Sequence, residues 1–188
     1  LTPGWTHKEA SPEDLRNRQP DAEIASIRLA GLTSYFENII KQLPEKPILI
    51  GHSMGGLIIQ ILLQRNMAAA GIAIHSVPPL GVFTFKPSFY KASWGPLGFF
   101  TSAKKSFLMS FKQWQYAFTN GRNYEAQTNA YYNFAVPESK LLVRDGLSKA
   151  AKVDFKKSHD PLLLISGSTD HFIPASLNYS NYKKYKNK

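Results

Sequence analysis

Cysteine is absent from all 188 residues, which removes disulfide frameworks, thiolate nucleophiles and cysteine-ligated metals together and leaves the redox compartment open. Long apolar runs are missing too. The longest stays under ten residues, against the roughly 20 of a membrane-spanning helix, so no membrane span is expected. No repeat or low-complexity tract occurs, which argues against a solenoid or a disordered chain. Acidic residues are scarce: 13 Asp and Glu face 23 Lys and Arg, for a formal net charge of +10. The lysines crowd at the end, in Tyr182-Lys183-Lys184-Tyr185-Lys186-Asn187-Lys188. Basic surface with interleaved aromatics could follow a phosphate backbone, but no nucleic-acid motif accompanies it, and a solvated Lys-rich last helix also suits the helix dipole. No nucleic-acid partner is expected. The opening Leu1-Thr2-Pro3 carries no charged-then-apolar leader. A targeting segment is therefore either absent or outside these residues, and the cytoplasm is the default location.

With 43% hydrophobic residues, one domain with a sizeable core is expected. Residues 3–20 are polar and proline-punctuated, which predicts a loop with a short helical turn at Ser11-Pro12-Glu13-Asp14. Asp21 is a plausible N-cap. From it, Ile24, Ile27, Leu32, Tyr35, Phe36, Ile39, Ile40 and Leu43 recur with the spacing of one amphipathic helix ending near Pro44. Pro47-Ile48-Leu49-Ile50 is a short continuous apolar run, as in a parallel strand buried on both faces. Met54 to Gln64 is apolar almost all round and predicts a helix buried against a sheet. Gly71-Ile72-Ala73-Ile74-His75 and Pro161-Leu162-Leu163-Leu164-Ile165 predict two more buried strands. Between them, residues 77–160 form a long insertion. Residues 81–136 hold 16 of the 24 aromatics, which suits either a helical subdomain with its own small core or a lid lining an apolar substrate pocket.

The chemistry concentrates at two strand ends. Gly51-His52-Ser53-Met54-Gly55-Gly56 lies where the first strand meets the buried helix, the context of a nucleophile elbow. Gly-x-Ser-x-Gly alone would arise by chance in roughly one chain in twenty of this length, so the strand before it and the helix after it carry the argument. A serine hydroxyl is a weak nucleophile that needs projection on a tight turn and an imidazole to take its proton. Ser53 is placed for this. The close approach of strand and helix predicts that a Cβ at Gly51 or Gly55 would clash, and the Met54 amide at the helix start is expected to donate to the oxyanion. The second end is Ser166-Gly167-Ser168-Thr169-Asp170, after the third strand. There Asp170 would orient and stabilise an imidazole, although a loop-capping aspartate would look similar.

These two motifs and the strand order around them resemble the α/β-hydrolase family, in its branch with a lid inserted after the strand that follows the nucleophile helix. The resemblance implies a mostly parallel sheet, a core from residues 1–76 and 161–188 with a helical lid over 77–160, hydrolysis of small apolar esters or related acyl substrates, and no cofactor. It assigns Ser53 as nucleophile, Asp170 as acid and Met54 as oxyanion donor. Members place several strands, and a loop carrying a second oxyanion donor, before the elbow. They place the catalytic histidine after the acid, past a further helix and strand. Here Lys188 follows Asp170 by only 18 positions. The expectation is therefore a chain truncated at both ends, lacking the first strands, the last strand and helix, the second oxyanion donor and the catalytic histidine.

The histidines present are weighed as substitutes. Strand alternation is expected to turn His52 away from Ser53. His171 adjoins Asp170 too closely in sequence to be held by it and reach Ser53, His75 ends the neighbouring strand and could line the pocket, and His7 and His159 read as loop residues. None has a metal-ligand spacing. Serine at the elbow, where a dehalogenase would carry aspartate, favours acyl-enzyme chemistry. The alternative from another class is a non-catalytic ligand-binding protein that keeps the fold and the pocket.

Overall fold

A computed structural model describes residues 1–186. Three apolar runs form a parallel sheet in the order β1 (Ile48–His52), β2 (Ala70–Ile74), β3 (Leu162–Ile165). Its register aligns Ile50 with Ile72 and Leu163, and Gly51 with Ala73 and Leu164. Helix α4 (Met54–Gln64) connects β1 to β2 and buries Leu57, Ile58, Ile61 and Leu62. Among the described residues only one face of the sheet is covered. Leu49 and Leu162 pack into the main core, whereas Ile48, Ile50 and Leu163 remain 64%, 67% and 54% exposed. Burial of the strands on both faces was the expectation, and it fails because α4 and its neighbours layer on one side alone. A continuous apolar run does not by itself say how many layers meet it.

The elements before β1 are α1 (Pro12–Asn17), α2 (Ala22–Ser26) and α3 (Leu29–Ile40). Asp21 caps α2 by accepting from the Ile24 amide at 2.9 Å. The single helix expected from Asp21 to Pro44 is broken at Ile27 and Arg28, which are extended. Contacts remote in sequence cause the break. Ser139 Oγ donates to the Ala25 and Ile27 carbonyls, and the buried Asp145 carboxylate accepts from the Leu29 amide while gripping the Arg28 guanidinium at two nitrogens. Asp145 thus supplies an N-terminal acceptor that α3 lacks locally.

Within residues 77–160 lie α5 (Pro87–Leu97), α6 (Phe111–Ala117), α7 (Tyr124–Phe134) and α8 (Lys140–Asp145). Their packing divides the segment. Ala92, Met109 and Ala117 form a small cluster of their own with Phe107 and Tyr116. Leu142, Ala151 and Val153 instead join the cluster that contains α3 and α4. After β3, α9 (Ala175–Lys184) ends in the expected lysines; Asn187 and Lys188 lie outside the described residues. A buried polar network fastens α9 behind the start of α4. Gln60 Nε2 donates to Ser76 Oγ at 2.7 Å, and Gln60 Oε1 accepts from Asn181 Nδ2 and from the Tyr185 hydroxyl. Burial pushes the Tyr185 phenol up, so it remains a donor.

The approach of α4 to the sheet fixes which glycines are needed. A Cβ on Gly51 would lie 2.6 Å from the Gly55 carbonyl oxygen and 2.7 Å from Ile59 Cδ1, and one on Gly56 would lie 2.8 Å from Ser76 Cβ. At Gly55 a Cβ meets open space. The expected clash at Gly55 therefore belongs to Gly56, because Gly55 contributes backbone rather than side-chain space to the contact. Gly51→Ala should cost about 1–3 kcal/mol of stability, and Gly55→Ala should change it by less than about 0.5 kcal/mol. Urea unfolding of the two variants checks this, and equal losses would contradict it.

Candidate active site

Ser53 joins β1 to α4 at φ 55° and ψ −117°, a backbone conformation that non-glycine residues rarely adopt. The neighbouring backbone holds it there. The Ser53 amide donates to the Ile74 carbonyl at 2.9 Å, and the Ser53 carbonyl accepts from Gly56 and Val77, each at 3.0 Å. Although Ser53 occupies the N-cap position of α4, its side chain makes no cap bond. The hydroxyl is left for other partners. Met54 opens the helix, where the first backbone N–H groups have no intrahelical acceptor and the helix dipole favours negative charge.

The loop after β3 brings Asp170 to the same end of the sheet. Asp170 Oδ1 accepts from the Phe172 amide at 2.8 Å and the Ile173 amide at 2.9 Å, which orients the carboxylate. Its other oxygen, Oδ2, is bonded to His75 Nδ1. The carboxylate expected to await a histidine from outside the chain is thus already paired with one inside it. In a neutral imidazole whose Nδ1 donates to a carboxylate, Nε2 is the nitrogen with the free lone pair. His75 takes a positive φ of 44° just past the end of β2. Gly167 makes room for its ring, since a Cβ there would lie 2.9 Å from His75 Cε1.

Ser53, His52, His75 and Asp170 border one cavity of about 280 Å³, with Phe118, Arg122 and Phe172 on other parts of its wall. His52 does not leave the site as expected. Its ring lies 5.8 Å from that of His75, because the chain turns sharply at Ser53 and the strand's alternation ends there. Desolvation at the cavity wall, reinforced by His75 and opposed by Asp170, holds His52 below the ordinary histidine range. The remaining histidines are engaged elsewhere. His171 Nδ1 bonds to the Tyr116 carbonyl, its ring packing on Tyr116 at 4.6 Å; His159 packs on Tyr185, and His7 lies 3.6 Å from Glu23. Among the described residues no cluster of three or more His, Asp or Glu could hold a metal ion.

The pairing of His75 with Asp170 was not anticipated, although its signal lay in the strand order. In a sheet ordered β1-β2-β3, a residue leaving β2 emerges between the elbow after β1 and the acid after β3. The expected aromatic lining is also narrower than composition implied. Phe118 and Phe172 reach the cavity, whereas Trp94, Phe99 and Phe100 do not border it.

The family model described as "Alpha/beta hydrolase family" matches residues 9–184. Among solved structures, a monoacylglycerol lipase of Paleococcus ferrophilus is 19% identical with a TM-score of 0.56, the match covering 85% of this chain and 62% of that one. A variant of tomato Methylketone Synthase I complexed with beta-ketoheptanoate is 17% identical (TM-score 0.55), covering 84% of this chain and 65% of that one. A pyrethroid hydrolase from Sphingobium faniae is 15% identical (TM-score 0.55), covering 89% and 70%. At these identities the likeness is one of fold. No curated protein matches the chain significantly, and the chain spans less than two thirds of the length of the first two of these structures. With a family match over nearly its whole length and a parallel sheet carrying a strand–serine–helix elbow, the chain belongs to the α/β-hydrolase family.

Proposed function

We propose that the protein is a serine hydrolase of carboxylic esters or related acyl substrates that works through an acyl-enzyme at Ser53. The observation that carries this reading is an uncommitted serine hydroxyl, on a strained strand-to-helix turn, sharing a cavity with a hydrogen-bonded His–Asp pair. Ser53 Oγ attacks the carbonyl carbon, and its proton passes to an imidazole whose Nε2 is free because Nδ1 is held by Asp170. In this chain that imidazole is His75. Ser53 makes no bond to it at rest, and such contacts often tighten only once substrate is bound. The Met54 amide stabilises the tetrahedral oxyanion. Expulsion of the alcohol takes the proton back from the imidazole, and water then hydrolyses the acyl-enzyme by the same route in reverse. The apolar side of the cavity at Phe118 and Phe172 suits the acyl part of such an ester.

Hydrolysis of a series of p-nitrophenyl esters tests this reading. Ser53→Ala should abolish turnover. Asp170→Asn should lower kcat by roughly 10²–10⁴ with a nearly unchanged melting temperature, because the orienting charge is lost while an oxygen remains for the Phe172 and Ile173 amides. His75→Gln should fall as far. A loss under about tenfold in either variant would remove the pair from the mechanism. A properly folded protein with no Ser53-dependent turnover would instead favour a ligand-binding role. Phe118→Ala should shift preference toward longer acyl chains, while Phe99→Ala and Phe100→Ala should leave chain-length preference unchanged. An equal shift in all three would contradict the assigned cavity wall.

A further inference from the structure

The aromatic residues that miss the cavity form a surface of their own. Along residues 82–85 the chain buries Val82 and Thr84 and turns Phe83 and Phe85 outward, the latter 94% exposed. A threonine is thus inside while phenylalanines are outside, the reverse of what folding alone favours. Helix α5 continues the pattern by burying Ala92, Ser93 and Pro96 and exposing Tyr90 and Trp94. The pieces are joined. The Tyr90 hydroxyl donates to the Thr84 carbonyl at 2.7 Å, which ties the Phe83–Phe85 stretch to α5, and the Trp94 ring lies 6.0 Å from that of Phe100, itself 87% exposed. Exposed aromatic patches of this kind mark interaction surfaces.

Charge on the same segment has one sign. From Lys46 to Tyr124 the sequence contains no aspartate or glutamate. Lys86, Lys91, Lys104 and Lys105 are all exposed, and among the described residues none forms a salt bridge. Arg144 stands over the Phe99 ring at 5.7 Å and donates to the Leu97 and Gly98 carbonyls, which fixes the end of α5. Protruding aromatics beside lysines that form no salt bridge fit an interface that offers apolar depth and diffuse negative charge. Recognition of discrete phosphates in a nucleic acid relies more on free arginine forks, and the arginine at this patch is committed to backbone carbonyls.

We propose that the face formed by residues 83–105 docks on the surface of an anionic lipid bilayer, with Phe85, Trp94 and Phe100 entering the headgroup–acyl boundary and Lys86, Lys104 and Lys105 lying at phosphate level. The proposed contact is at the bilayer surface; among the described residues no helix is long and apolar enough to cross a membrane. The surface is separate from the Ser53 cavity, so its test does not depend on the hydrolase reading.

The experiment is co-sedimentation of the protein with phosphatidylcholine vesicles, with and without phosphatidylglycerol. Partitioning should be at least about tenfold stronger with phosphatidylglycerol and should weaken as salt is raised. At about fivefold per lysine, the double variant Lys104→Gln, Lys105→Gln should lose roughly 25-fold on the anionic vesicles. The double variant Phe85→Ser, Phe100→Ser should lose about tenfold or more, with thermal melts matching the unchanged protein because both side chains are exposed. Three results overturn the proposal: no sedimentation with anionic vesicles, equal partitioning of the unchanged protein and both variants, or tighter binding to a DNA duplex than to vesicles that the lysine variant abolishes.

Discussion

The left-handed backbone at Ser53 is the constraint on which the rest of the site depends. A non-glycine residue holds φ 55° only where the surroundings over-determine it, and here they do. The Ser53 amide donating to Ile74, and its carbonyl accepting from Gly56 and Val77, lock the turn from both neighbouring segments. The turn in turn requires the start of α4 to press on the sheet, which leaves no space for side chains at positions 51 and 56. Behind it, Gln60 spends both ends of its amide group on Ser76, Asn181 and Tyr185, so the elbow, the chain after β2 and α9 are fastened to one another. The network is buried, so breaking it would leave unpaired polar groups far from water.

The central position of β2 explains how Ser53, His75 and Asp170 come to border one cavity. Three adjacent parallel strands bring Ser53, after β1, His75, after β2, and Asp170, after β3, to the same end of the sheet. Asp170 is oriented by two backbone amides before it meets the imidazole. The segment between β2 and β3 adds Phe118 to the cavity wall, and the Asn120 amide, donating to the Thr169 carbonyl at 2.8 Å, ties that segment to the acid's loop. Most other aromatics of the segment pack among themselves or face solvent.

What could be read from the sequence was local. The β1–α4–β2 unit, the Asp21 cap and the two motif loops are set by neighbours a few residues apart, and the structure contains them close to the expected boundaries. The break between α2 and α3 was hidden because Asp145, 117 residues beyond Arg28, makes it. Coverage of the sheet was hidden for a similar reason: Ile48 and Ile50 carry no mark of which layer meets them. His75 was expected at the pocket and borders it, but its pairing with Asp170 was not expected, because the catalytic histidine was sought after the acid in chain order. The outward phenylalanines follow a plain period-two alternation, Val82-Phe83-Thr84-Phe85, but only burial says which half of an alternation faces in.

In the proposed mechanism Ser53 is a nucleophile activated by the His75–Asp170 pair. Labelling of the folded protein with a fluorophosphonate, followed by peptide mass spectrometry, tests it most directly. A single covalent adduct on Ser53 is expected, formed at least tenfold or so more slowly in Asp170→Asn and His75→Gln. An adduct on another serine, or labelling of Ser53 at an unchanged rate in both variants, would contradict it.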